Sequence, residues 1–291
     1  MYIATTSKSR GYANHTRRKA YFNLVNHKQY LKMNLPIYQV DAFTSKLFGG
    51  NPAAVCPLEY WLEDGILQSI AAENNLSETA FFVKKENYYE LRWFTPETEV
   101  DLCGHATLAS AYVIFNLLKS ETEKIIFQTK SGKLEVTKRN NLLVMNFPSR
   151  KPVAAEITEG LIEAIGKAPK GVLQSRDLLL LYETEEDVLS LQPDFALLKK
   201  IDCFGYIATA KGNEVDFVSR FFAPKEGINE DPVTGSAHST LIPFWAERLG
   251  KNELLGRQIS KRGGELFCKL LGDRVEIAGN GVLYLTGFIK I

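Results

Sequence analysis

A single glutamate lies where its surroundings could prepare it for proton transfer. Glu78 follows a predicted helix and directly precedes Thr79–Val83, an apolar segment typical of a strand. A carboxylate beside such a strand loses hydrating water, and this loss makes it a stronger base, as general acid–base catalysis requires. The competing interpretation is a solvated loop glutamate, and the residues around Glu78 do not decide between the two.

Two glycines lie where a loop is predicted to become an apolar helix. Gly104-His105-Ala106 opens one helix and Gly235-Ser236-Ala237 opens the other. The first N–H groups of a helix have no internal partner and carry about half a positive charge, and glycine lets a ligand approach them closely. Two such ends facing one cleft would bind a carboxylate without a lysine. Alternatively, each glycine only packs a buried helix start that His105 or Ser236 caps.

Two residues near these glycines carry chemistry of their own. Asp231, in Glu230-Asp231-Pro232, is either a second carboxylate close to the substrate or a turn residue. Cys103 directly precedes Gly104, and a helix N-terminus lowers the pKa of a thiol, so a reactive thiolate is one interpretation. Small buried filler is the commoner role for a lone cysteine, and we favour it.

The two glycines belong to a longer motif that occurs twice. Arg92-Trp93-Phe94-Thr95-Pro96 precedes the first, and Arg220-Phe221-Phe222-Ala223-Pro224 precedes the second. The recurrence predicts two halves of similar architecture with a site between them. The carboxylate does not recur, because Gly205 stands where the first half has Glu78. We therefore expect the first half to carry most of the chemistry.

The elements that must position these residues follow from local periodicity. Alternating apolar residues predict strands, and apolar residues at helical spacing predict helices. The predicted strands are 37–43, one from 53 onward, 79–83, 89–94, 124–129, 134–138, 142–147, 206–210, 215–222, 257–261, 265–271, 274–277 and 282–289, and the predicted helices are 61–74, 106–118, 156–164, 195–201 and 237–249. Many strands around one apolar helix, twice over, predict an α+β fold rather than a parallel doubly wound sheet.

Composition and charge argue against two classes of function. The 291 residues are 45% apolar, and no apolar run approaches the ~18 residues that span a membrane. Residues 1–32 hold seven basic and no acidic residues, which leaves the remainder with 28 basic and 34 acidic side chains. That remainder lacks the basic face that nucleic-acid binding needs. We therefore expect neither a membrane protein nor a nucleic-acid-binding protein.

Cofactor and metal motifs are missing from the sequence. It contains no Gly-x-Gly-x-x-Gly after a strand and no P-loop, so we expect no nucleotide cofactor. The four cysteines and four histidines show no zinc-ligand spacing, so we expect no metal, and isolated cysteines are typical of reduced thiols in the cytoplasm. Residues 1–32 lack the apolar core of a secretory signal and are interpreted as a disordered extension, with an organellar transit peptide as the alternative.

In combination, six segments resemble the phenazine-biosynthesis PhzF-like family, which shares the fold of diaminopimelate epimerase. The resemblance runs from about residue 34 to the end of the chain. The segments are Tyr38-Gln39-Val40-Asp41-Ala42-Phe43, Gly50-Asn51-Pro52-Ala53-Ala54-Val55, Asn75-Leu76-Ser77-Glu78-Thr79-Ala80-Phe81, Arg92-Trp93-Phe94-Thr95-Pro96, Asp101-Leu102-Cys103-Gly104-His105-Ala106-Thr107-Leu108 and Glu230-Asp231-Pro232-Val233-Thr234-Gly235-Ser236-Ala237-His238.

The resemblance implies a cofactor-free isomerase with two pseudo-symmetric domains. Each domain would wrap a barrel-like, mostly antiparallel sheet around a central helix, with the active site between the two. The first domain would comprise residues 33–148 plus about 278–291, and the second residues 149–277. A homodimer is a further expectation from the family.

The resemblance also assigns roles to individual residues. The catalytic residues would be Glu78, His105 and Asp231, and the substrate-binding residues would be Gly104, Gly235, Ser236 and Asn51. In the related epimerases two cysteines act as bases, one from each half. Cys103 matches the first, but Thr234 replaces the second, and this departure favours a mechanism with one carboxylate.

The sequence therefore predicts an isomerase that moves a proton, and with it a double bond, on a small carboxylate-bearing metabolite. Glu78 would be the general acid and base. A Cys103-dependent epimerase is one alternative. A catalytically silent small-molecule-binding or interaction protein on the same fold is another. No serine–histidine–aspartate order or metal motif favours a hydrolase or lyase.

Overall fold

Strands dominate the chain from Met33 to its C-terminus. The computed structural model describes residues 33–291, so the interpretation of residues 1–32 lies outside the described residues. The strands are β1 (Asn34–Ala42), β2 (Asn51–Leu58), β3 (Glu78–Lys84), β4 (Tyr89–Phe94), β5 (Glu99–Val100), β6 (Lys124–Thr129), β7 (Gly132–Arg139), β8 (Leu142–Pro148), β9 (Val153–Ala154), β10 (Gly171–Gln174), β11 (Leu178–Leu181), β12 (Tyr206–Lys211), β13 (Phe217–Ala223), β14 (Ile228–Asp231), β15 (Glu253–Gln258), β16 (Gly264–Leu271), β17 (Arg274–Gly279) and β18 (Gly281–Lys290). The helices are α1 (Asp64–Asn74), α2 (Gly104–Tyr112), α3 (Leu161–Ile165), α4 (Glu185–Leu189), α5 (Phe195–Leu198) and α6 (Gly235–Leu249). Within this part of the chain, no helix is both long and apolar enough to cross a membrane.

Most predicted elements are present, but two are misplaced, and strands β10, β11 and β14 and helix α4 are not predicted by the sequence. The helix predicted over 156–164 begins only after Gly160, whose φ of 76° ends the preceding turn. The strand predicted over 257–261 lies earlier, as β15. Strands β10 and β11 have no alternating pattern; all four leucines of β11 are buried, so period-two alternation is absent.

The two halves have the same sheet topology. In the first half, β1–β2 is antiparallel, β2–β3 parallel, β3–β4 antiparallel, β4–β6 parallel, and β6–β7–β8 antiparallel. In the second half, β10–β11, β11–β12, β12–β13, β13–β15 and β15–β16–β17 repeat that series. Strands β8 and β17 pair antiparallel and join the halves. The predicted α+β fold with two pseudo-symmetric halves is confirmed.

Strand register fixes which residues of the two halves are equivalent. Phe94 of the first motif copy pairs with Thr79, and Phe222 of the second pairs with Tyr206. Glu78 directly precedes Thr79, and Gly205 directly precedes Tyr206. The sheet therefore places Gly205 where the first half has Glu78, in agreement with the sequence alignment.

The last strand of each half crosses to the other half. After β8, the short strand β9 pairs with β10 of the second half. After β17, strand β18 pairs with β1 of the first half along its whole length, from Asn34↔Lys290 to Ala42↔Gly281. This exchange is consistent with the predicted division in which about 278–291 belong to the first domain. The domain boundaries themselves stay a prediction.

Two long helices lie inside the sheets. Seven of the nine residues of α2 are buried, from His105 to Ala111, and eleven of the fifteen residues of α6 are buried. Helix α6 contains Pro243, which has no N–H to offer Ser239 one turn earlier. The Ser239 carbonyl instead accepts the backbone N–H of Arg150, at 2.9 Å. The helix is thereby tied to the segment that follows β8.

The repeated arginine holds the hairpin that leads to each of these helices. Arg92 donates two hydrogen bonds to Glu99, at 2.7 and 2.8 Å. Arg220 donates two to Glu230, at 2.7 and 3.0 Å, and further bonds to the carbonyls of 188, 189 and 191. Bidentate arginine–carboxylate pairs are both strong and geometrically specific. The motif therefore fixes where each hairpin delivers the helix start.

Arg220→Met should lower the free energy of unfolding by about 3 kcal/mol, because it leaves Glu230 and three carbonyls without their donor in a mostly buried site. Urea denaturation followed by circular dichroism measures this loss. Arg139→Met is the matched control, since Arg139 also forms a bidentate pair, with Glu276, but its side chain is 58% exposed. The control should lose about 0–1 kcal/mol. Equal losses in the two variants would contradict the role assigned to Arg220.

Candidate active site

A carboxylate and an imidazole meet at the start of two buried elements. Glu78 is the first residue of β3, and His105 is the second residue of α2. His105 Nε2 lies 3.1 Å from Glu78 Oε2, and the two side chains are only 7% and 11% exposed. The contact is close but not aligned as a hydrogen bond, so Oε2 has no hydrogen-bond partner among residues 33–291. The interpretation of Glu78 as a solvated loop residue is wrong.

Asn51 connects this pair to Asp231 of the other half. Its Nδ2 donates to Asp231 Oδ1 at 2.8 Å and to the backbone carbonyl of Val233 at 3.0 Å, which uses both amide hydrogens. The same nitrogen lies 3.2 Å from His105 Nδ1. The structure therefore brings Glu78, His105, Asn51 and Asp231 into one buried network across the two halves.

Asp231 is held in place by two further side chains. Thr234 donates its hydroxyl to Asp231 Oδ2, and Gln258 donates to the Asp231 backbone carbonyl at 2.7 Å. Gln258 also accepts the backbone N–H of Thr234, at 2.9 Å. Burial raises the pKa of Asp231 to about 6, against the opposing effect of His105. The carboxyl group is thus prepared to titrate close to neutral pH.

The charge of His105 depends on its neighbours. Burial disfavours the imidazolium, but the Cys103 sulfur and the Glu78 carboxylate together raise the pKa of His105 well above its usual range. Burial also raises the pKa of Cys103 to about 11, so the thiol is protonated at neutral pH. Glu78 is therefore the charge that stabilises the imidazolium there. Nδ1–H faces the sulfur of Cys103, 3.5 Å away.

The backbone N–H of Ala106 at the helix start lowers the pKa of Cys103, as expected, but burial outweighs it. The thiol is buried beside the Glu78 carboxylate, and both desolvation and that negative charge oppose the thiolate. These effects exceed the attraction of the helix end and of His105. In the state that the structure describes, Cys103 is a buried thiol that retains its proton.

The two glycine-led helix starts abut each other. A Cβ on Gly104 would lie 3.6 Å from the Cα of Gly235, in ordinary contact. Neither N-cap residue, Cys103 or Thr234, caps its helix with a side-chain hydrogen bond. The first N–H groups of both helices therefore have no side-chain acceptor, and free N–H groups at a helix start can bind an anion. Ser236 does not cap α6 either; its Oγ lies 3.2 Å from Nη2 of Arg176, which donates to it.

The cluster of Glu78, Cys103 and His105 also has the spacing of a metal site. One donor atom from each lies within 4.8 Å of the other two. The cluster offers one thiol, one imidazole and one carboxylate, and each must lose its proton before it binds a metal.

The sequence did not indicate two residues of this region. Gln258 falls inside a predicted strand. Its contacts with Asp231 and Thr234 form only because strand β15 packs beside the segment that leads to Gly235. Arg176 lies between β10 and β11, where no strand was predicted. A buried glutamine in a strand is the one signal that the sequence offers, and it is weak.

Asp231→Asn should change how stability depends on pH. A carboxyl group with pKa near 6 in the fold and about 4 in the unfolded chain stabilises the fold below pH 4, and this contribution is lost as the pH rises from about 4 to about 6. The wild type should therefore lose up to about 3 kcal/mol relative to the variant between pH 4 and pH 7. Urea denaturation across this range measures the difference. Asp273→Asn, at an exposed turn, is the control, and its free energy of unfolding should change with pH as that of the wild type does. The same pH dependence in Asp231→Asn and the wild type would refute the assignment.

Known proteins with this fold support the family resemblance. A family model described as phenazine biosynthesis-like protein, PhzC-PhzF, matches residues 40–287. A curated Pseudomonas aeruginosa protein, named an uncharacterized isomerase, is 50% identical over 89% of this chain and 100% of its own. The crystal structure of an Enterococcus faecalis protein of the PhzF family superposes with a TM-score of 0.87 at 48% identity, covering 89% of this chain and 100% of that one.

A more distant structure matches in fold alone. A predicted epimerase from Pseudomonas aeruginosa superposes with a TM-score of 0.70 at 18% identity, covering 88% of this chain and 99% of the other. The predicted epimerase-like architecture is therefore confirmed. The family model matches most of the chain, and relatives about 50% identical match nearly all of the described residues. The chain therefore belongs to the phenazine biosynthesis-like family and is an isomerase.

Proposed function

We propose that the protein is a cofactor-independent isomerase that moves a proton between two carbons of a small carboxylate-bearing metabolite. Glu78 removes the proton from one carbon and returns it to another on the same face, and the double bond shifts between them. The observation that carries this proposal is the buried Glu78–His105 contact of 3.1 Å beside two uncapped helix N-termini.

The free oxygen of Glu78 supports its role as the base. Oε2 is buried and faces His105 Nε2 at 3.1 Å, and it makes no aligned hydrogen bond with the described residues, so a lone pair remains for a substrate proton. The adjacent imidazolium stabilises the carboxylate before it takes up the proton and can supply a proton itself. Asp231 holds the amide of Asn51, which packs 3.2 Å from His105 Nδ1, and its carboxyl group would orient the substrate.

The two helix N-termini provide a site for the substrate carboxylate. Backbone N–H groups of Gly104, Gly235 and Ser236 would donate to it and stabilise the negative charge that develops when the proton leaves. These donors are fixed by buried helices and need no rearrangement during the reaction. The proposal includes a homodimer in the cytoplasm, which the family resemblance alone suggests; light scattering of the purified protein tests the assembly.

The Cys103-dependent epimerase is a second candidate with one observation in its favour. Cys103 Sγ lies 3.5 Å from His105 Nδ1, a distance at which the thiol could exchange a proton. Its raised pKa and the threonine at the equivalent position of the second half weigh against a pair of thiol bases. We therefore rank it below the glutamate mechanism.

Glu78→Gln should reduce proton exchange by at least about 100-fold, because it removes the base while keeping the side chain's shape. The measurement is deuterium incorporation from D2O, followed by NMR over a panel of metabolite carboxylates. Cys103→Ser is the matched variant in the same cluster and should keep most of the exchange. Loss in Cys103→Ser with retention in Glu78→Gln would reverse the assignment, and thermal unfolding of both variants shows whether they are folded.

A further inference from the structure

An arginine of the second half contacts Ser236, the residue equivalent to His105 of the first. Arg176 donates to both oxygens of buried Asp177, at 3.0 and 2.9 Å, and to Ser236 Oγ at 3.2 Å. Its guanidinium lies 4.3 Å from the ring centre of Phe204. Nε and Nη2 make these three hydrogen bonds, so Nη1 is left without a partner among residues 33–291.

The pseudo-symmetry of the sheets defines this correspondence. Ser236 follows Gly235 as His105 follows Gly104, and Gly205 is equivalent to Glu78. The Leu178 N–H bonds to the carbonyl of Gly205, which places Asp177 and Arg176 beside that residue. The Arg176–Ser236 contact therefore lies at the second helix start as the Glu78–His105 contact lies at the first, and an Arg176–Asp177 ion pair lies beside the position equivalent to Glu78.

A second arginine adds uncompensated positive charge. Nη1 of Arg150 is buried and has no hydrogen-bond partner among the described residues. The backbone N–H of Arg150 donates to the carbonyl of Ser239. The hydroxyl of Ser175, which precedes Arg176, contacts the hydroxyl of Thr240. Both arginines therefore lie along the face of α6 that begins at Ser236. Positions three and four apart share one face of a helix.

The charges of this cluster do not balance. Arg176 and Asp177 are the charged groups that act on Arg150, and burial together with Arg176 lowers the pKa of Arg150. Two guanidinium groups thus share one carboxylate. Arg150 is half-buried and has no carboxylate partner of its own among residues 33–291, and an anion from outside the chain would supply one.

This side of the cleft is also the open one. The side chain of Arg176 is 32% exposed and Phe204 is 42% exposed, whereas those of Glu78 and His105 are 11% and 7% exposed. A ligand held at the helix N-termini can therefore extend toward the arginines. Since Arg176 donates to Ser236 Oγ, the serine keeps its own hydrogen to donate to such a ligand.

We propose that Arg176 and Arg150 form a second anion-binding subsite, which takes a distal carboxylate of the substrate. The substrate class is then a small dicarboxylate, with one carboxylate at the helix N-termini and the other at the arginines. Nη1 of Arg176 keeps both of its hydrogens for this carboxylate, and the ring of Phe204 lies 4.3 Å from the guanidinium that carries them. This inference rests on the proposed function, which places the substrate in the same cleft.

Binding of matched mono- and dicarboxylates tests the subsite. The probes are benzoate with its three benzenedicarboxylate counterparts, and butyrate with succinate and glutarate, titrated by calorimetry. At least one dicarboxylate should bind about tenfold more tightly than its monocarboxylate, as a charged hydrogen-bonded pair provides. Arg176→Gln should abolish this advantage and leave the monocarboxylate affinity within about twofold. No advantage in the wild type, or one that survives Arg176→Gln, overturns the proposal.

Further variants separate the subsite from general effects on the fold. Arg150→Gln should weaken the dicarboxylate advantage, and Arg176→Lys should restore part of it, because lysine keeps the charge but not the planar fork. Arg139→Gln, far from the cleft in another bidentate pair, should change nothing. Thermal unfolding identifies any variant that does not fold. If Arg176→Gln does not fold, Arg176→Lys and Arg150→Gln replace it in the test. Tighter binding of 4-sulfobenzoate than of every dicarboxylate would refute a carboxylate subsite.

Glu78→Gln distinguishes a failure of the subsite from a failure of the proposed function. The subsite predicts that this variant keeps the dicarboxylate advantage, since Glu78 does not touch the arginines. If exchange in D2O persists in Glu78→Gln while the advantage depends on Arg176, the catalytic assignment fails and the subsite stands. If exchange is lost and the advantage does not depend on Arg176, the subsite fails alone.

Discussion

The meeting of two buried helix N-termini is the constraint on which the rest of the structure depends. Each of α2 and α6 lies inside its own sheet, so its first N–H groups must find partners in the cleft or remain unpaired. The Arg92–Glu99 and Arg220–Glu230 pairs hold the two hairpins that end at these helices. The pairing of β8 with β17, and the exchange of the last strands, then keep the two ends opposed.

The two halves carry different side chains at equivalent positions, and the proposed chemistry depends on this difference. The repeated topology supplies two equivalent positions beside the paired helix starts, and different side chains occupy them. The first half places Glu78 and His105 there, while the second places Gly205 and Ser236 with Arg176 alongside. The paired helix starts thus have the Glu78 carboxylate on one side and the Arg176 guanidinium on the other. Such an arrangement can bind an anion in one orientation, which a symmetric site cannot do.

The repeat and its central helices were predictable because they depend on local patterns. Apolar spacing identified α2 and α6, and the recurring arginine, aromatic and proline residues identified the two halves. Strands β10 and β11 were not predictable, since the run Leu178–Leu181 is buried throughout and has no alternation. The loop between them carries Arg176, so the missing strands also concealed the positively charged side of the cleft.

By itself, the sequence determined which side chains were available and roughly which halves they belonged to: one glutamate without a counterpart, two glycine-led helices, and an aspartate before the second. Only the tertiary structure decided their states. Asp231 is raised to a pKa of about 6 and Cys103 to about 11 because burial removes water from both, and Glu78 stabilises the imidazolium of His105 at 3.1 Å. These effects depend on contacts between residues far apart in the chain, and no local pattern encodes the dielectric or the distances that such contacts create.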